Sequence, residues 1–146
     1  MADGKGNPRL QDVEHLDRLG DTLKQVLDGS VEALATLLDR GVSFAPDGVI
    51  VIPEPPVIDK GAEKVVAEVN ISRGIEGSCL LLCAVSDAAA LTDLLLGGTG
   101  ARGEVAGEQL DTLGELVNQA TGAAVAAAAA RYGVSCSHAV QRVFKL

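Results

Sequence analysis

Between Leu10 and Leu38 the apolar residues Leu16, Leu19, Leu23, Val26, Leu27, Ala33, Leu34, Leu37 and Leu38 recur at threes and fours. That period predicts an amphipathic helix, with Gly29 as the expected interruption. "DRGVSFAPDG" ends it through the turn residues Gly41, Pro46 and Gly48, and "VIVI" at 49–52 reads as a short strand stopped by "PEPP". In "EKVVAEVNI" the period changes to two: Val65, Ala67, Val69 and Ile71 fall on one face and Lys64, Glu68 and Asn70 on the other, as in a half-buried strand. "SCLLLCAV" at 78–85 is apolar on both faces. A central strand covered on each side is expected there, paired with the preceding one in an antiparallel hairpin across "SRGIEG". Ser86 with Asp87 is the expected N-cap of a short helix, "AAALTDLLLGG", that ends at glycine.

The glycine-rich "GGTGARGEVAGE" follows a helix and lacks a Gly-Lys-Ser/Thr ending, so it reads as a connection and not as a phosphate loop. Helix formers then run from Gly107 to about Tyr132, with "AAVAAAAA" of high intrinsic propensity. At 100° per residue Leu110, Leu113, Val117, Ala120 and Ala124 gather on one side, the expected core side. Asp111, Glu115, Asn118 and Gly122 fall within roughly a 60° arc nearly opposite. Within that stripe Gly122 costs about 1 kcal/mol relative to Ala, which suggests that something approaches the backbone there. Asn118 is also a poor helix-interior residue, with no turn or cap to use it. The plain alternative is a solvated acidic face.

Composition narrows the chemistry. The chain has 146 residues, 47% of them hydrophobic, enough for one globular domain with its own core. Residues 1–8 read as a flexible tail and 9–146 as that domain. Two Phe, one Tyr and no Trp leave an aliphatic core and no stacking platform for bases. A formal net charge of −8 disfavours nucleic acid and anionic membrane surfaces as partners. No apolar run is long enough to span a bilayer and the first residues lack a signal-peptide core, so a cytoplasmic location without membrane insertion is expected. Cys79, Cys83 and Cys136 lie in apolar segments and are expected as buried, reduced thiols. Cys79 and Cys83 would be roughly 13 Å apart along one strand, too far for a bridge. His15 and His138 are too few for a metal site at standard spacings and read as ordinary surface or satisfied histidines.

An internal echo links the two helical stretches. "DTLKQVLDGSVEALATLLDRGVSF" (21–44) and "DTLGELVNQATGAAVAAAAARYGVSC" (111–136) share their opening, an alanine-bearing middle and a Gly-Val-Ser close, but only the second carries Glu-x-x-Asn. The whole is expected to be an α/β (α+β) domain, a mainly antiparallel sheet under two long pseudo-repeat helices.

A Glu-x-x-Asn-x-x-x-Gly helix, preceded by "LTDLLLGGTG" after an apolar hairpin, resembles the CheC, CheX and FliY class of chemotaxis phosphatases, related to the FliM middle domain of the flagellar switch. The similarity runs over roughly 16–138 and is most specific over 77–125. It implies dephosphorylation of a CheY-like response regulator, with Asn118 orienting water for attack on the aspartyl phosphate and Glu115 docking to a lysine of the partner. Asp111 and Gly122 would support partner binding. The domain would need no cofactor or metal of its own, Mg²⁺ residing on the regulator. The resemblance also admits a CheD-like deamidase or flagellar switch proteins as partners, a homodimer, and a non-catalytic binding module on the same fold. Two departures from the family pattern stand out: the proline expected downstream of the second motif is absent from "VSCSHAVQRVFKL", and the strands that normally follow are largely missing. C-terminal truncation, or completion of the sheet by a second copy, is the corresponding expectation.

Overall fold

The structure, a computed structural model, describes residues 10–43, 45, 61–74 and 76–146, and the side chains of the first helix from residue 20 onward. The expected tail and the "VIVI" strand lie outside these residues. Among the described residues three helices and three strands follow in the order α1 (Leu10–Leu38), β1 (Lys64–Ser72), β2 (Gly77–Ala84), α2 (Val85–Leu95), α3 (Gly107–Tyr132) and β3 (Ser137–Lys145). The strands form one antiparallel sheet in the order β2-β1-β3, making an α+β fold.

β1 and β2 form the expected hairpin, with Val65 opposite Cys83 and Asn70 opposite Ser78. β1, however, is the central strand, because β3 pairs along its other edge. Among the described residues β2 is therefore an edge strand, contrary to its apolar appearance, and Leu80, Leu81 and Leu82 are 51%, 46% and 46% exposed. The expected burial of the cysteines fails: Cys79 is exposed and Cys83 and Cys136 are half-buried, while all three are free, as expected. Partial burial pushes the Cys83 thiol up from its ordinary pKa, and the Asp87 carboxylate adds to the shift.

β3 was not legible as a strand. Glu68 pairs with Arg142 but Val69 with Val140, so Gln141 is an extra residue, a bulge. Across that bulge the apolar positions Val140 and Val143 are three apart, which hides the period of two.

The core lies between sheet and helices. Val65 of β1 packs with Val85, Ala88 and Ala89 of α2, Val105 of the following loop, and Leu113 and Leu116 of α3; Leu34 and Leu37 of α1 close over them. α2 starts at Val85 with Ala84 as N-cap and no side-chain cap, so Ser86 and Asp87 sit inside the helix and not ahead of it. Thr92, 1% exposed, is satisfied locally, its hydroxyl donating to the carbonyls of Ala88 (3.1 Å) and Ala89 (2.9 Å). As expected, the turn after α2 ends at glycine, with Gly97 at φ 86°.

α1 and α3, the two segments that echo each other in sequence, run antiparallel against one another. The Ser30 hydroxyl donates to the Ala120 carbonyl at 2.8 Å, and Arg131 donates to the Gln25 side-chain oxygen. Gly29 does not interrupt α1, which is continuous. It is the point of closest approach: a Cβ there would stand 3.3 Å from the Ala123 carbonyl oxygen and 3.4 Å from Ala127 Cβ. A branched side chain cannot fit without parting the helices. Gly29→Val should lower the unfolding free energy by about 1–3 kcal/mol in denaturant titrations, as overpacking does; an unchanged midpoint would refute the close crossing.

The glycine-rich connection to α3 is organised by Asp93. Its Oδ2 accepts the N–H groups of Gly100 and Ala101, each at 2.8 Å. These donors, Ala101 first, hold the Asp93 carboxyl below its ordinary pKa. A depressed carboxylate stabilises the fold above its unfolded pKa, near 4, and that contribution is lost as pH falls through the lower folded value. The stability gap between the parent and Asp93→Asn should therefore be constant near neutrality and shrink below about pH 4. A gap that stays constant down to about pH 2 would contradict the assignment.

Candidate functional site

α3 forms where the sequence places it. Its entry is fixed by Gln109, whose side-chain oxygen accepts the Ala106 N–H at 3.1 Å, and its exit by Gly133 in the left-handed region, whose N–H bonds back to Ala129. Between these ends Asp111, Glu115 and Asn118 are all exposed. The stripe thus exists as a surface feature along one rigid element. Behind it the burial differs in detail from a simple opposite face: Leu113 and Leu116 are buried, while Val117 and Ala120 are only half-buried. α3 is flanked by α1 and by β3, so its core contacts are spread around the cylinder and Leu116 takes the place expected of Val117.

The stripe forms one wall of an open groove whose other wall is β3. Asp111, Glu115 and Asn118 face it from the helix, and His138, Gln141 and Arg142 from the strand. The walls meet at Gly114, where an added Cβ would make an ordinary contact with Val143 at 3.7 Å.

Two residues behave differently from the sequence expectation. His138 is not an ordinary histidine: its Nε2 lies 3.0 Å from the Asn118 carbonyl oxygen and 3.1 Å from Asn118 Oδ1. Gly122 does admit a close approach, but from within the chain, because a Cβ there would stand 3.0 Å from His138 Cε1. The missed signal is one of topology. A histidine twenty positions beyond the motif becomes its neighbour only once β3 is seen to run back along α3.

Charge in the groove is asymmetric. Asp111 and Glu115 make no ion pair among the described residues, whereas Arg142 is committed elsewhere. Its Nε and Nη2 donate to Glu68 Oε2 and Oε1 at 2.5 and 2.8 Å, and its guanidinium lies 4.5 Å from the Phe144 ring centroid. The hydrogen bond from Arg142 lowers the Glu68 pKa, and Glu68 raises that of Arg142 in return. The groove therefore offers a partner two carboxylates and an amide. Among the described residues no cluster of three His, Cys, Asp or Glu side chains could hold a metal ion, and no helix is long and apolar enough to cross a membrane. An open wall of this kind suits a macromolecular partner that brings its own reactive centre. A small substrate would find little to enclose it.

Comparison with known proteins bears on the fold that carries this groove. The chain is 35% identical over 125 residues to the flagellar motor switch phosphatase FliY of Bacillus subtilis (strain 168), a match covering 80% of this chain and 32% of that protein. The chain thus spans about a third of the length of this curated relative. Among solved structures, Thermotoga maritima FliY aligns with a TM-score of 0.79 at 24% identity, over 91% of this chain and 69% of that one. A CheC-like superfamily protein from Shewanella sp. PV-4 aligns with a TM-score of 0.59 at 17% identity, over 86% and 75% of the two chains. No protein-family model matches. At these identities the two structures speak for the fold, which is that of FliY and CheC-like proteins, and the Bacillus relative adds likeness in sequence over most of the chain.

Proposed function

We propose that the exposed face of α3 removes the phosphoryl group from the aspartyl phosphate of a CheY-like response regulator. The observation that carries this reading is the joint exposure of Asp111, Glu115 and Asn118 along one helix at the edge of an open groove. Likeness to a protein named as a flagellar motor switch phosphatase supports it. In this reading Asn118 orients a water for in-line attack on phosphorus, Glu115 pairs with a lysine of the regulator, and Asp111 supports docking. The acyl phosphate and its Mg²⁺ arrive with the regulator. Phosphoryl transfer demands chiefly positioning and charge stabilisation, so an amide and a carboxylate on a rigid helix suffice without a nucleophile of their own. A flagellar switch setting fits the same reading.

The two principal residues should separate in saturation kinetics of regulator dephosphorylation. Asn118 acts when water attacks, so Asn118→Ala should lower kcat by about 100-fold with little change in KM. A variant that keeps the parent's kcat would remove the water-orienting role and leave a non-catalytic docking module. Glu115 acts before chemistry, through a charge pair with the regulator. Glu115→Gln should raise KM several-fold at low ionic strength, and the difference from the parent should fade as salt screens that pair. A KM penalty that does not respond to salt would contradict the pairing.

A further inference from the structure

The bulge at Gln141 decides which way His138 faces. Directly paired residues of neighbouring strands share a face. Val143 therefore lies on the side of Ala67, Val140 on that of Val69 and His138 on that of Ile71, all toward the helices. Simple alternation from Val143 would instead have aimed Gln141, Ala139 and Ser137 that way and turned His138 to the opposite face. One inserted residue re-aims the imidazole at α3, a known use of bulges beside functional sites.

Once there, the ring meets a fixed reference. A main-chain carbonyl can only accept a hydrogen bond, so a ring nitrogen held 3.0 Å from the Asn118 carbonyl oxygen must carry the proton. Nε2–H then donates to that oxygen and to the side-chain atom of Asn118 that lies 3.1 Å away. With the donor settled, that side-chain atom must be the amide oxygen, and the Asn118 NH₂ group is turned away from the ring. The neutral ring keeps its lone pair on Nδ1, and the imidazolium makes the same Nε2 donation. Gly122, one turn beyond Asn118, leaves the space open, since a Cβ there would stand 3.0 Å from Cε1 and 3.4 Å from Nε2.

We propose that His138 is the positioning residue of the site: through Nε2–H it locks the Asn118 amide with its oxygen against the ring and its NH₂ free to hold the attacking water. The role of that water rests on the phosphatase reading; the lock itself does not. Nε2 is not a general base in this arrangement, because it is already protonated and occupied.

The test compares two replacements. His138→Phe keeps a flat ring and removes the donor, whereas His138→Gln returns an N–H at similar reach. In saturation kinetics with a phosphorylated CheY-like regulator, His138→Phe should lose about ten-fold in kcat with KM within about two-fold, and His138→Gln should recover most of the loss. Gly122→Ala, which leaves His138 in place but displaces its ring, should show the same kcat-selective loss in a folded protein. Nitrogen-15 NMR on the same proteins reads the lock without any turnover. The neutral His138 of the parent should be the Nε2–H tautomer, and the Asn118 side-chain NH₂ resonances should move in His138→Phe and stay near the parent positions in His138→Gln. An Nδ1–H tautomer, or Asn118 amide resonances unmoved by His138→Phe, would overturn the lock whatever the kinetics. A lock seen by NMR with full kcat in His138→Phe would overturn its part in turnover. A parent that does not dephosphorylate the regulator would sink the phosphatase reading alone, and the NMR comparison would still decide the lock.

Discussion

α3 is held at close range on two flanks, and small residues set that range. Against α1 the limit is Gly29 facing Ala123 and Ala127; against β3 it is Gly122 facing His138. The α1 contact uses backbone and a methyl group and the β3 contact a flat ring, so the helix has little freedom to roll or slide between its neighbours. Its anchoring leucines, Leu113 and Leu116, fix the rotation, and the hydrogen bond from Ser30 to the Ala120 carbonyl fixes the register with α1. The exposed face is thereby presented at one angle. Alanine-rich composition in the second half of α3 serves packing first and propensity second.

A site of this kind works by geometry more than by reactivity. The groove between α3 and β3 is open, carries two carboxylates and an amide, and keeps its one arginine tied to Glu68 and Phe144. Such a wall complements a partner that already holds an activated phosphoryl group and its metal, which is the situation on a response regulator in the proposed reaction. The hydrophilic docking face also fits a chain with a formal net charge of −8, whose long-range field favours an approaching lysine over an acidic surface. Asp93 plays a supporting part at a distance, because the loop it gathers delivers the chain to the start of α3.

The elements with a clean period were readable from residues alone. α1 and α3 appear at the bounds their apolar spacing implies, β1 alternates as written, and Asp111, Glu115 and Asn118 share an exposed face. What escaped depended on partners distant in sequence. β2 looked central because its side chains are apolar on both faces, yet rank within a sheet is set by pairing, and the competing partner of β1 was β3. β3 was hidden by its own bulge, which breaks the period at Gln141. His138 was lost with it, and the close approach expected at Gly122 was assigned to an outside partner when the occupant was that imidazole. Cys79 and Cys83 followed the error in β2.

The most direct measurement is the rate at which a phosphorylated CheY-like regulator, with Mg²⁺ bound, loses its acyl phosphate as the concentration of this protein is raised, with binding followed in the same titration. A rate that climbs and saturates along the binding curve is the predicted result. Saturable binding with the regulator's own rate of decay unchanged would contradict it, and would make the face of α3 a docking surface without chemistry.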